Sequence, residues 1–526
     1  MKGLVSIMVK KIWKVAVCIT AALLLFSTTT LAIVPYQSYT YNYWKEKKDI
    51  PSAYLPDQVY TAEQMKTTAL KNPSDLFIAA DGRSYIADTD NNRVLILNAD
   101  MTLTREIREI TYRGETSELK MPEGVYCDKD GELYICDTGN YRIIRFDANG
   151  MIKQIYLKPD SALLDAETPF QPTKLIVDKS KKLYVIAKGI NMGLLEISEE
   201  GILDKFIGAP TVYTTPVEYF WKMIASKEQR SRMESYVPTE YNNLFLDHEG
   251  FIYVTNNSVS EEQIMEMVAA KDTSGDSAPI KKLTLSGEDI LDRNGYFPPV
   301  GDLLFPVKNQ EYSTEDDETK DYLKESEKGP SSLMDVVASE DGTYAVLDSK
   351  RGQIFTYDAD GNLLFVFGGL GGQDGTFVSP VSICQYQERY YVLDKVLGTI
   401  TMFSRTSYGQ DVLDAIQAYN NSDYTKSETC WNNVIRKDAN SDIAYFGLGK
   451  IKLMENDYQQ AMKYFKLANR RDYYSKALKH YRNDTVGKVI GITVFAAIVL
   501  VMFTVFIYRT ICGIIRVVNF GKGGER

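Results

Sequence analysis

The sequence predicts a mainly β protein: a ring of six four-stranded blades, a six-bladed β-propeller, followed by a short α-helical segment and a transmembrane helix. Three observations lead there. A strand, turn and strand pattern recurs six times at a spacing near fifty residues. The periodicity turns helical after Ser407, and a charge-free apolar run from Val489 to Tyr508 is long enough to cross a bilayer.

The repeat is clearest in NPSDLFIAADGRSYIADTDNNRVLILNAD from Asn72 and MPEGVYCDKDGELYICDTGNYRIIRFDANG from Met121, an offset of 49 residues. Weaker copies begin at Gln171 and Tyr241, and two further ones at Ser332 and Ser379. Each copy alternates apolar and polar residues, turns at an Asp-Gly-like pair, runs back, and turns again through Asp, Asn or Gly into a third strand. Residues such as Leu103 to Ile110 can supply a fourth. Sheets of this kind bury their faces only against neighbouring copies, so the ring should close.

These residues resemble the NHL-repeat family, with its Pro-x-Gly opening, Asp-Gly turn, Tyr-hydrophobic-Ala-Asp strand end and Asn-x-Arg turn. Pro122, Gly124, Gly131, Tyr134, Asp137, Asn140 and Arg142 match it, as do Pro73, Gly82, Tyr85, Asp88, Asn92 and Arg93. The FGGLGGQDGTFVSP run from Phe367 is similar to the family's inter-blade linker. Copies three and four depart from the pattern, with Lys188 and Asn256 in place of Asp. The resemblance implies a propeller over 52–406 with insertions at 210–240 and 257–330, and an N-terminal strand, met here by Ala53 to Thr61, that completes the last blade.

Two further segments frame this domain. Residues 1–34 carry Lys2, Lys10, Lys11 and Lys14, an apolar run, and a Thr30-Leu31-Ala32 site, which reads as a signal peptide or N-terminal anchor. The span 489–508 leaves a short basic tail, 509–526, expected in the cytoplasm, while propeller and helices are expected on the extracytoplasmic side of the cell membrane. Basic residues lie on both sides of the span, so this orientation rests on the export signal. Over 409–485 the segment from Asp442 resembles a tetratricopeptide repeat, with Leu448, Gly449, Tyr458, Ala461, Phe465 and Ala468 at that family's spacing. A weaker copy carries Ala415, Tyr424 and Trp431.

Composition removes several functions. A net charge of -10 argues against nucleic-acid partners, which require clustered Lys and Arg. Only His248 and His480 are present, too few for a histidine metal site of the kind on which amidating lyases of the NHL family rely, and poor material for a Ser-His-Asp triad. Cys127 and Cys136 flank the Asp130-Gly131 turn; placed diagonally on one sheet face they could be bridged, but strand cysteines are usually small core residues, so buried free thiols are the preferred reading.

Residues two places beyond each blade opening should ring one mouth of the channel: Asp75, Gly124, Lys174, Asn243, Asp335 and Ser382. Asp75, Asn243 and Asp335 offer oxygen ligands suited to Ca²⁺, and this resembles gluconolactonase-type propellers, implying a metal-dependent lactonase as one reading; otherwise no cofactor is expected. The turn residues Asp88, Asp137, Asp348 and Asp394 are expected to cap their own turns. The insertion TPVEYFWKMIASKEQRSRMESYVP reads as a helix. Its Trp221, Arg230 and Arg232, with Lys174 in the channel, are the candidates for contacting a partner protein or envelope ligand. The stretch 309–330, with eight Asp/Glu against three Lys, reads as a solvated loop. The leading expectation is a membrane-anchored binding or scaffold protein without catalytic residues.

Overall fold

The computed structural model describes residues 34–161, 163–164, 167–208, 241–275, 278–306 and 328–521. Six antiparallel sheets stand around a central channel. Their innermost strands are Asp75–Ile78, Pro122–Cys127, Gln171–Val177, Tyr241–Leu246, Leu333–Ala338 and Pro380–Tyr386, defining blades one to six. Each packs on the next, and the sixth packs on the first.

The ring closes by a pairing across the chain. The strand Tyr54–Tyr60 lies antiparallel to Thr399–Arg405 as the outer strand of blade six, so residues before blade one complete the last blade. An unanticipated hairpin, Tyr39–Tyr41 with Lys47–Asp49, adds two more strands to the edge of blade five. The region 257–330 is only partly an insertion. It carries helix α1 (Glu261–Ala270), capped by Ser260, and then the strand Ile280–Leu283, which is the third strand of blade four. Most of the acidic stretch 309–330 lies outside the described residues.

The residues that recur from blade to blade have a mechanical purpose here. Asp137 is buried at the end of the second strand of blade two; one oxygen accepts from Lys120 N at 2.7 Å, the other from Asn140 Nδ2 at 2.9 Å and Arg142 Nε at 2.7 Å. Asp88 does the same with Lys71 N, Asn91 and Arg93. Each aspartate therefore ties the incoming linker to the outgoing turn. Thr89 and Thr138, the next residues, donate to the carbonyls of Pro122 and Pro172, which open the following blades. In blade three Lys188 is exposed and pairs with Glu123, and in blade four Asn256 caps Ser258, so these two turns lack the aspartate clasp.

Cys127 and Cys136 are free, buried thiols. The register sets Cys127 opposite Leu133 and Gly124 opposite Cys136. Cys136 is thus an odd number of residues from Leu133 and points to the other face, towards blade three, while Cys127 points towards blade one. The diagonal placement required for a bridge does not occur.

After blade six the chain forms α2 (Ser407–Asn420), α3 (Tyr424–Lys437), α4 (Asp442–Met454) and α5 (Tyr458–Leu467), packed in sequence. Close approach depends on glycine: a Cβ at Gly447 would lie 2.3 Å from the Trp431 ring, and one at Gly449 would lie 2.5 Å from Phe465. The helices share one core with the propeller, in which Tyr408, Val412, Leu413 and Trp431 join Tyr54, Phe365, Phe367 and Phe403. They are a fused second layer. The final helix α6 runs unbroken from Arg471 to Gly521 and contains the apolar span. Among the described residues it is the one helix long and apolar enough to cross a membrane.

Candidate functional site

The channel holds a cavity of about 710 Å³, within the range of small-molecule sites. All six inner strands and helix α2 line it. One end is formed by the strand starts, the other by the hairpin turns, and α2 stands as a wall at the turn end, where Asn420 Nδ2 donates to Asp341 O at 2.8 Å.

At the strand-start end the predicted ring residues do come together, and most of them serve the ring itself. Asp75 Oδ2 accepts from Val125 N at 2.8 Å, tying blade one to blade two. Asp335 Oδ2 accepts from Ile383 N at 2.8 Å and Ser382 Oγ at 2.9 Å, tying blade five to blade six. Ser382 Oγ in turn meets Leu76 N and O at 3.3 Å, tying blade six to blade one. Lys174 reaches across from blade three, donating to Asp75 and, at 2.9 Å, to Ser74 O. Asn243 Oδ1 accepts from Leu244 N at 2.9 Å. Lys174 is thus spent inside the ring.

This end of the channel is poorly solvated. Burial pushes the Asp335 carboxyl up to about 7, with Lys174 and the two donors from blade six opposing. Burial raises Asp75 as well, against the nearby Lys174 ammonium. A Ca²⁺ ion needs six or more oxygens free to face it. The oxygens of Asp75, Asn243 and Asp335 already accept from the chain's own donors, and the Lys174 ammonium occupies the cationic position beside Asp75. These residues do not fit a calcium site.

Two features of the cavity escaped sequence reasoning. Phe77, Tyr126 and Phe245 line its middle, and the rings of Phe77 and Tyr126 lie 4.9 Å apart. Each is two residues beyond a ring position, so the strand period of two would have found them. Leu413, Asp414 and Gln417 of α2 line the turn end, and no local pattern announces that. The four turn aspartates are structural: Asp348 and Asp394 also accept backbone N–H groups at their own turns. Trp221, Arg230 and Arg232 lie outside the described residues.

The family model of the NHL repeat matches residues 119–146. No curated protein matches the chain. Similar solved structures include virginiamycin B lyase from Staphylococcus aureus, 12% identical, covering 66% of this chain and 99% of that one, with a TM-score of 0.37. A protein of unknown function from Bacteroides thetaiotaomicron is 12% identical over 70% and 75%, at 0.37. A gluconolactonase-like protein is 11% identical over 70% and 98%, at 0.36. Likeness of this degree assigns no chemistry. The chain is a six-bladed β-propeller protein carrying an NHL repeat, followed by C-terminal helices of which the last is long and apolar enough to span a membrane.

Proposed function

We propose that this protein is a membrane-anchored binding module: α6 holds it in the cell membrane, propeller and helices stand on the extracytoplasmic side, and the channel receives an envelope ligand or a segment of an envelope protein. One observation carries the reading. The cavity of about 710 Å³ is walled by α2 at its turn end, while the carboxylates at its strand-start end are consumed by contacts between blades. Such a site offers shape and hydrogen bonds, and burial pushes up its two thiols, Cys127 and Cys384, which makes them poor nucleophiles. The helices α2 to α5, similar to tetratricopeptide repeats, would add a surface for protein partners. A metal-dependent lactonase is disfavoured by the engagement of Asp75, Asn243 and Asp335.

Native mass spectrometry of the full-length protein, purified in nanodiscs, tests this. Cys384 lines the cavity, so Cys384→Trp should narrow it. A co-purifying or added ligand retained by the wild type and lost by a folded Cys384→Trp variant is the expected result. Ligand retention unchanged by the narrowed channel would overturn the reading.

A further inference from the structure

Building on the binding reading, we propose that the channel is a site for a neutral carbohydrate, a short oligosaccharide rather than an anionic or cationic ligand. Three independent features of the cavity point the same way.

The first is its aromatic middle. Phe77, Tyr126 and Phe245 come from blades one, two and four, so apolar ring surfaces border the lumen from different sides. A pyranose ring presents apolar C–H faces and polar edges, and flat aromatic surfaces can cover the former while leaving hydroxyls free. A purely aliphatic ligand would leave the polar groups nearby without partners, at a cost for each.

The second is the kind of polar group left available. Asn243 Oδ1 accepts from Leu244 N, and Gln385 Oε1 accepts from Ser339 Oγ at 2.6 Å. Their amide nitrogens have no partner among the described residues, nor does the side chain of Gln417, which is exposed at the mouth. Neutral amides both donate and accept, which suits hydroxyls that do both.

The third is charge. Eight Asp or Glu and four Lys or Arg line the cavity. The surplus of carboxylates opposes an anion. It recruits a cation only weakly, because seven of the eight carboxylates are engaged: Asp81 with Arg83 at 2.7 Å, Asp128 with Lys181 at 2.7 Å, Glu388 with Arg405 at 3.3 Å and Asp75 with Lys174, while Asp335, Asp341 and Asp414 accept from Ile383 N, Thr343 N and Gln410 Nε2. What remains is a lumen that binds through ring faces and directional hydrogen bonds.

The test is calorimetric titration of the full-length protein in nanodiscs free of glycolipid and of sugar-based detergent. The probes are maltotriose, cellotriose and chitotriose, with trigalacturonate and spermidine as anionic and cationic comparators. At least one neutral trisaccharide is expected to bind saturably. Gln417→Ala, at an exposed helix position, should weaken it by about threefold to tenfold, and Phe77→Ala by about tenfold or more. The comparators should give no saturable heat. Silence from all three neutral probes overturns the inference, as does neutral-sugar binding that both variants leave unchanged. Binding of trigalacturonate or spermidine alone, blocked by Cys384→Trp, also overturns it while leaving the channel as a binding site.

Discussion

Arg470 Nη1 donates to Asn362 Oδ1 at 3.0 Å, and the same guanidinium reaches Asn294 O at 2.9 Å. Arg470 immediately precedes α6, whereas Asn362 sits in a turn of blade five. The guanidinium also lies over the ring of Phe446 in α4, 4.2 Å from its centroid. One buried residue therefore joins propeller, helical layer and the long apolar helix α6. Arg470→Ala should lower stability by about 2–4 kcal/mol, since several hydrogen bonds and a cation–π contact are lost together. Arg470→Lys should recover little of it, because an ammonium cannot span the same fork of acceptors. Denaturant unfolding of both variants checks this; full rescue by lysine would contradict it.

The aspartate clasps make a graded prediction. Asp88→Asn leaves Arg93, which is 1% exposed, with Glu106 at 3.3 Å as its remaining anionic partner, and should cost about 2–4 kcal/mol. Asp394 holds four backbone N–H groups with no arginine partner. Asp394→Asn should cost less, about 1–3 kcal/mol. Equal losses in thermal or denaturant melts would show that the arginine adds nothing.

A pH dependence follows from Asp335. Its folded value, pushed up to about 7, lies above the ordinary 3.8, so the folded state favours the protonated carboxyl. The resulting stability is present in full below about pH 4 and is lost as pH rises through about 7. Between about pH 4 and pH 7 this group should lower the melting temperature as pH increases, and Asp335→Asn should flatten that slope. An identical slope in the variant would remove Asp335 as its source.

Calcium should be without effect. With the oxygens of Asp75, Asn243 and Asp335 engaged, neither millimolar Ca²⁺ nor EDTA should shift the melting temperature of the full-length protein. A shift that Asp335→Ala abolishes would restore the lactonase reading.

Much of the ring was legible because its signals are local. The Asp, Asn and Arg of each clasp lie within five residues of one another, as Asp137, Asn140 and Arg142 do, and strand alternation marks the rest. The position of the polar ring was readable for the same reason, since one offset from each blade opening finds it. Its purpose was not. That Lys174 would settle on Asp75, 99 residues away, or that Ser382 would bridge Asp335 and Leu76, depends on how blades meet, which no single repeat encodes. Cys127 and Cys136 are the buried free thiols that strand cysteines usually are, while the diagonal placement failed on register: the turn between them set Cys127 opposite Leu133, and Cys136, three residues along the strand from Leu133, faces the other way. Helix α2 at the channel mouth was hidden because its cavity-facing residues, Leu413 and Gln417, read as an ordinary helical i,i+4 pair.

A channel mouth presented to the outside of the cell by a membrane-held protein is the proposed arrangement, and one labelling experiment tests it. Gln417→Cys places a thiol at the mouth and Trp44→Cys places another on the distant N-terminal hairpin, where Trp44 is 63% exposed. Intact cells are treated with a membrane-impermeant maleimide, with the unsubstituted chain as background. Both variants are predicted to label before permeabilisation, and saturating ligand is predicted to slow Gln417→Cys alone. Labelling that appears only after the membrane is opened would contradict the account.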